Sequence, residues 1–255
     1  MVLRDVYGVI PARYGSTRFP GKSLCKINGV CLLERTYQRV MLCQLISKCV
    51  IATDDERIAQ AARSFGADVV MTSKECATGT DRIAEAVRSR DDLKTAAMIV
   101  NVQGDEPCID PNTIAQVIEV LAASPDASIG TAVCPIRSEE ELLNTNVVKC
   151  VKTATGKALY FSRHPIPGSK KGTSLDTIPY FRHVGIYAYR PDFVVRFSAL
   201  PPTPLQLAED LEMLRAMEHG FSIAVTQVQH HSPDVNVPSD IEEVEQWIKS
   251  QSSCS

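Results

Sequence analysis

The feature that most limits what this chain can fold into is the alternation, through its first half, of short β-rich apolar runs with stretches of three-to-four-residue apolar spacing. Val6 to Ile10, Cys49 to Ala52, Val69 to Met71 and Ala97 to Val102 read as buried strands. Leu32 to Leu45, Asp55 to Phe65, Thr80 to Val87 and Pro111 to Leu121 read as the helices between them. A β-then-α rhythm predicts an α/β fold, a three-layer Rossmann-like and mostly parallel sheet covered on both faces. Ligands of such sheets sit at the carboxyl ends of the strands.

After about Pro125 the rhythm loosens. Ile129 to Val133, Val147 to Lys152 and Leu159 to Ser162 read as strands with few helices between them, which predicts a smaller, mixed, β-rich part. Pro165 to Pro179 reads as a polar loop. A strand over Val184 to Tyr189, helices over Asp192 to Ser198 and Leu205 to His219, a strand over Ile223 to Val228 and a helix over Asp240 to Ile248 complete the chain. Its 255 residues suit a single domain with parts at about 1–125, 126–230 and 231–255.

Bulk chemistry excludes several classes. Lys+Arg 27 against Asp+Glu 30 leaves a net charge of -3, so no broad basic face for nucleic acid is expected. The 9 cysteines are scattered through apolar contexts with no Cys-x-x-Cys pair, which fits free thiols in a reducing cytoplasm. Neither a signal peptide nor an apolar run of membrane-spanning length is expected.

The first strand runs into Pro11-Ala12-Arg13-Tyr14-Gly15-Ser16-Thr17-Arg18-Phe19-Pro20-Gly21-Lys22. Its glycines permit close backbone approach, and Arg13, Arg18 and Lys22 can offset the charge of a triphosphate and of a leaving pyrophosphate; a solvated surface loop that is merely basic is the competing account. The spacing is neither that of a Walker A loop nor Gly-x-Gly-x-x-Gly. Thr53 or Asp54 is placed to cap the helix that follows the second strand. In Ala77-Thr78-Gly79-Thr80-Asp81-Arg82, amides and hydroxyls can meet a base or ribose, and Thr80 as a helix cap is an equally good account.

The strand Ile99-Val100-Asn101-Val102 continues into Gln103-Gly104-Asp105-Glu106-Pro107. A carboxylate fixed at a strand end beside the basic loop can share Mg²⁺ with phosphate oxygens, and Asp105 is that candidate; an aspartate that only forms the turn before Pro107 is the competing account. Farther on, Ala158 to Ser162 delivers Arg163 to a strand end, where a guanidinium can clamp a carboxylate. Strand alternation puts His183, Gly185, Tyr187 and Tyr189 on one face, either lining a pocket or packing a core. Glu209 and Glu212, three apart on the predicted helix, share a face and either bind hydroxyls or are solvated.

Taken in order, the Pro-Ala-Arg to Pro-Gly-Lys loop, Thr-Gly-Thr-Asp-Arg, Asn-Val-Gln-Gly-Asp-Glu-Pro, the Tyr-Phe-Ser-Arg strand and Phe-Arg-His-Val-Gly-Ile-Tyr resemble the sugar nucleotidyltransferases, and among them the CMP-Kdo synthetases. The resemblance runs from about Val6 to the last helix. It implies a nucleotidyltransferase fold, with CTP bound by the first part and the sugar by the second, and CMP transfer from CTP to the anomeric 2-hydroxyl of 3-deoxy-manno-octulosonate (Kdo), for lipopolysaccharide biosynthesis. Nucleotide binding is then expected at Pro11, Ala12, Arg13, Ser16, Lys22, Thr78, Gly79, Gln103 and Gly104. Catalysis is expected from Arg13, Lys22 and Asp105. The sugar falls to Arg163, His183 and Tyr187, with Glu209 and Glu212 added as candidates from their spacing, and magnesium to Asp105 with Asn236.

A cytoplasmic homodimer is also implied, with neither nucleic acid nor membrane as partner. No general base is assigned, since metal-bound water or hydroxide can take the hydroxyl proton. The chain departs from the pattern twice. Met213 stands where the family usually has Gln, and Asn236 where a second metal-binding Asp is expected, with Asp234 a candidate substitute. CMP activation of another acidic sugar such as sialic acid, or a silent nucleotide-binding module, are the alternatives.

Overall fold

The computed structural model describes residues 5–15, 19–168, 170, 175 and 177–252. Ser16 and Arg18, part of the loop after Pro165, and Cys254 lie outside the described residues. Two units form: Met1–Ala115, Arg190–Ser198 and Ser232–Ser255 make the first, and Gln116–Tyr189 with Ala199–His231 the second.

In the first unit, strand β1 (Val6–Ala12) runs parallel to β4 (Lys48–Thr53) and to β6 (Met98–Asn101), and β4 runs parallel to β5 (Asp68–Met71). The order is β6-β1-β4-β5. All of β6 is buried, as is β4 after Lys48, which is why these strands read as continuous apolar runs rather than alternating ones. Helices α1 (Leu32–Met41), α2 (Glu56–Ser64) and α3 (Gly79–Ser89) supply the crossovers, with a short α4 (Asp91–Lys94) before β6. Helix α1 ends earlier than its apolar spacing predicts: Leu42 is exposed, and a turn over 42–47 brings the chain into β4.

A small hairpin, β2 (Lys26–Ile27) with β3 (Val30–Cys31), turns at Asn28 and Gly29, whose φ values of 45° and 77° are those of a tight mirror-image turn. It joins a local core in which Ile27, Leu32, Cys108, Val235 and Val244 are buried together, with Trp247 and Ile248 of the last helix, α10 (Asp240–Ser252), against them. Burial of a side chain of this size contributes roughly 1.5–3 kcal/mol. The cluster thereby ties the segments around residues 27, 108 and 235 into one piece.

The second unit is mixed, as the loosened rhythm predicts. Strand β7 (Ala127–Pro135) pairs parallel with β11 (Ser222–Gln227) and antiparallel with β10 (Phe181–Tyr189). Strand β8 (Lys149–Lys152) is antiparallel to both β10 and β9 (Ala158–Ser162). The helix predicted over Leu205 to His219 is two helices, α8 (Pro204–Glu209) and α9 (Glu212–Glu218). Asp210 breaks it with a left-handed φ of 53°, so Glu209 ends one helix while Glu212 opens the next, and helical spacing no longer puts them on one face. A further short helix, α6 (Glu139–Leu143), follows β7 and is capped by Ser138.

Helix α5 (Pro111–Ala122) contains the boundary between the units. Within the second unit, Gly130 of β7 passes so close to it that an added Cβ would lie 2.8 Å from the Val117 carbonyl oxygen and 2.9 Å from the Leu121 Cβ. Backbone cannot yield as a flexible side chain does. Gly130→Ala should therefore destabilise the protein by about 1–3 kcal/mol in urea unfolding, and an unchanged midpoint would show that this approach is not tight.

Candidate active site

Parallel pairing puts the carboxyl ends of β1, β4 and β6 at one edge, and the loops that leave them build a cavity of about 200 Å³. Pro11, Ala12, Arg13, Lys22, Thr78, Gly79, Gln103, Gly104 and Asp105 all line it. Every nucleotide-side residue expected from sequence is thus brought together, Ser16 excepted because it lies outside the described residues.

The centre of the arrangement is Lys22. Its Nζ donates to Asp105 Oδ2 at 2.6 Å and to the Val235 carbonyl at 2.7 Å, while the Val235 N–H donates to the Asp105 carbonyl at 2.9 Å. The side chains of Lys22 and Asp105 keep 14% and 27% of their exposure, so the pair is sheltered yet reachable. An ammonium has three donors and two are engaged, leaving one for an incoming oxygen. Asp105 Oδ1 accepts no hydrogen bond among the described residues. Arg13 is exposed at the rim and has no ion-pair partner among the described residues.

Two glycines shape the wall. A Cβ on Gly79 would meet Pro11 Cγ at 3.2 Å and Gln103 Oε1 at 3.8 Å, and one on Gly104 would meet the Pro11 carbonyl at 3.2 Å. Their bare backbones leave the wall thin there, and the Gln103 amide beside Gly79 offers a donor and an acceptor together. Thr78, rather than Thr80, caps α3: its hydroxyl accepts from Asp81 N–H while the Asp81 carboxylate accepts from Thr78 N–H. Thr80 is buried in the first turn. Likewise Asp55, not Thr53 or Asp54, caps α2, accepting from Arg57 N–H.

Asp54 instead pairs with the buried Arg82 at 3.3 Å. Arg82, Ser23 and Cys76 line the cavity without having been singled out. Arg82 closes the Thr-Gly-Thr-Asp-Arg phrase and was there to be found; nothing in the pattern marks Ser23 or Cys76. The Cys76 thiol, half-buried and donating to Glu85, is pushed up to about 11 by burial and by that carboxylate.

Asn236 follows Val235 and so lies one residue from the segment bonded to Asp105. Its Nδ2 donates to Asp234 Oδ2 at 2.6 Å, and its N–H to Asp240 Oδ2 at 2.7 Å. Among the described residues no cluster of three or more His, Cys, Asp or Glu side chains could hold a metal by itself.

The five expected sugar residues belong to the second unit. His183 is buried, its Nε2 lies 2.9 Å from Thr131 Oγ1, and its ring meets Phe161 edge-on at 5.1 Å and Tyr187 at 5.4 Å. Burial, with the nearby Arg182 and His231, pulls His183 down to about 3, so the ring is neutral at physiological pH. Burial, then Tyr189 and Glu212, raises Tyr187 well above the usual phenol range, which keeps its hydroxyl a donor. His183, Tyr187 and Glu212 are therefore neighbours.

Arg163 is engaged by backbone carbonyls. Its Nε donates to the Glu209 carbonyl at 2.7 Å, Nη1 to Thr145 O and Nη2 to Asp210 O, both at 3.2 Å. Three of the five guanidinium N–H groups hold backbone carbonyls, so Arg163 braces the break between α8 and α9 and keeps one donor on each terminal nitrogen. Glu209 is held in turn by Ser162 Oγ and Arg163 N–H. Burial alone would raise its carboxyl, but these two donors outweigh it and the net direction is down. The buried Lys149 Nζ completes the brace, donating to Asn144, Val147 and Arg163 carbonyls at 2.8, 2.7 and 2.6 Å.

A family model described as cytidylyltransferase matches residues 7–251. A 3-deoxy-manno-octulosonate cytidylyltransferase of Protochlamydia amoebophila (strain UWE25) is 48% identical over 98% of this chain and 96% of its own. One of Zea mays is 44% identical over 96% of this chain and 81% of its own. Among solved structures, a CMP:2-keto-3-deoxy-manno-octonic acid synthetase complexed with CTP superposes with a TM-score of 0.90 at 35% identity, covering 97% of this chain and 100% of that one.

Neutral His183 makes stability pH-dependent with a definite sign. Between about 6.5 and about 3 the unfolded chain takes up a proton that the folded ring refuses, so stability is lost as pH falls through that window. By pH 5 the loss amounts to roughly 2 kcal/mol. Urea unfolding at pH 7.5 and 5 should show a smaller drop for His183→Gln than for wild type; equal drops would mean the ring is protonated in the folded state.

Proposed function

Because the chain belongs to the 3-deoxy-manno-octulosonate cytidylyltransferase family, it joins CMP from CTP to that acidic sugar with release of pyrophosphate, and we propose that the cavity around Lys22 and Asp105 is where CTP is held and attacked. The observation that carries this reading is the 2.6 Å contact between Lys22 and Asp105 within one cavity.

In the reaction the anomeric 2-hydroxyl of the sugar gives up its proton to water as its oxygen forms a bond to the α-phosphorus of CTP, and the bond from that phosphorus to the β-bridging oxygen breaks, its electron pair leaving with pyrophosphate. Such a transfer needs positioning and charge compensation rather than a protein nucleophile. Lys22 turns its third donor to a phosphate oxygen, and Arg13 meets the outer phosphates from the rim. Thr78, Gly79 and Gln103 select the cytosine, for which the Gln103 amide has complementary donor and acceptor groups. On the sugar side, neutral His183 and the protonated Tyr187 hydroxyl hold hydroxyl groups together with Glu212. Arg163 and Lys149 keep Glu209 and the α8–α9 break in place.

A magnesium ion fits the donor set. The residues offer hard oxygen ligands, Asp105 Oδ1 and the Asp234–Asn236 pair, but no cage of their own, as befits an ion that takes much of its coordination from water and phosphates. When bound, it neutralises charge on the phosphate oxygens. Asp105 would hold it directly, and Asp234 would restore the negative charge that Asn236 lacks. The same reading includes a homodimer, supported by the exposure of Leu143, Leu159, Leu205 and Leu207 in the second unit; a monomer by sedimentation at micromolar concentration contradicts it. It also places the enzyme in the cytoplasm, consistent with eight free thiols among the described residues and tested by cell fractionation.

Asp105→Asn should lower CTP-dependent pyrophosphate release with the octulosonate by at least about a hundredfold and leave the melting temperature near that of wild type. Wild-type turnover in that variant would remove Asp105 from the mechanism. Faster release with sialic acid than with the octulosonate would overturn the substrate.

A further inference from the structure

A second cavity in the first unit, of about 290 Å³, takes no part in the reaction described above. It is lined by Arg35, Gln38 and Arg39 of α1, by Pro107, and by Trp247 of α10. Arg35 and Arg39 are four apart on one helix and so share a face, where like charges repel. Each is nonetheless held in place by backbone: Arg35 Nε donates to the Ile27 carbonyl at 2.8 Å, and Arg39 Nε to that of Ile109 at 2.9 Å. Neither guanidinium has a carboxylate partner among the described residues. Glu34 of α1 accepts from Gln38, and Glu245 of α10 from the Asn28 N–H.

Two fixed guanidiniums with no ion pair among the described residues are suited to a bidentate anion such as a phosphate. Beside them stands Trp247, the 1 tryptophan of the chain, half-buried against the Ile27, Leu32 and Val244 cluster. Its indole gives a flat apolar wall on which a planar ring can stack. At about 290 Å³ the cavity lies near the lower end of the range for small-ligand pockets. We propose that this second cavity binds a mononucleotide, its phosphate between Arg35 and Arg39 and its base against Trp247. Pro107 is two residues beyond Asp105, and Arg39 holds the carbonyl of Ile109, so occupancy bears on the loop that carries the catalytic carboxylate.

Because Trp247 has no other tryptophan to obscure it, its fluorescence reports the site directly. Titration of the full chain with CMP should give a saturable change, and inorganic phosphate should bind at least about tenfold more weakly. Arg39→Gln, and Gln38→Glu, which puts a carboxylate between the arginines without touching either of their backbone bonds, should each weaken CMP by about tenfold or more. Lys22→Ala should leave the response in place. The proposal is overturned by no saturable change in wild type, by equal affinity in wild type and both cavity variants, by phosphate binding as tightly as CMP, or by loss of the response in Lys22→Ala, which would assign it to the first cavity.

Discussion

One ammonium group joins three distant stretches of the chain. Lys22 Nζ reaches the carboxylate of Asp105 and the carbonyl of Val235, and Val235 returns its N–H to Asp105. A basic loop, an acidic strand end and the segment before the last helix are thereby held as one unit. The parallel register of β1 and β6 makes this possible, because it brings the two strand ends to the same edge. Val235 is fully buried among Ile27, Leu32, Cys108 and Val244, so the carbonyl that Lys22 meets is anchored by apolar packing rather than by the ion pair itself. As the proposed CTP site, this arrangement would present positive and negative groups side by side before any substrate arrives, which reduces the reorganisation that phosphoryl transfer requires.

The second unit solves a different problem, that of keeping polar groups useful while burying them. Lys149 is fully buried yet donates to three carbonyls, and Arg163 donates to three more. The Lys149 part of this network is rigid, because loss of that ammonium leaves buried carbonyls unpaired. The two side chains fix Glu209 and the left-handed turn at Asp210. His183 remains neutral because its burial, against Phe161 and Thr131, makes a charge costly. In the proposed sugar site, a neutral imidazole and a protonated phenol would suit a ligand rich in hydroxyl groups.

Much of the first unit was legible in the sequence because its strands are apolar over consecutive positions and its helices keep a regular spacing, so each buried element carries its own signal. The cavity was legible for a related reason: in a parallel sheet, whatever follows the strands must gather at one edge, and Arg13, Lys22, Gln103 and Asp105 all follow strands. What escaped was decided by contacts between residues far apart. The Asn28-Gly29 hairpin has strands of two residues, too short for alternation to show. The split at Asp210 was hidden by apolar spacing that runs across it. Capping by Thr78 and Asp55 rather than by neighbours was a shift of one or two positions, the usual scale at which helix starts are uncertain. The carbonyls that engage Arg163 come from Thr145, Glu209 and Asp210, which no local pattern connects to it.

The most direct test of the account is a crystal structure of the protein with CTP and magnesium. The account predicts the triphosphate within hydrogen-bond reach of Lys22 Nζ, the metal on Asp105 and the cytosine beside Gly79 and Gln103. A triphosphate bound elsewhere, with the contact between Lys22 and Asp105 undisturbed and the cavity around it holding only solvent, would contradict it.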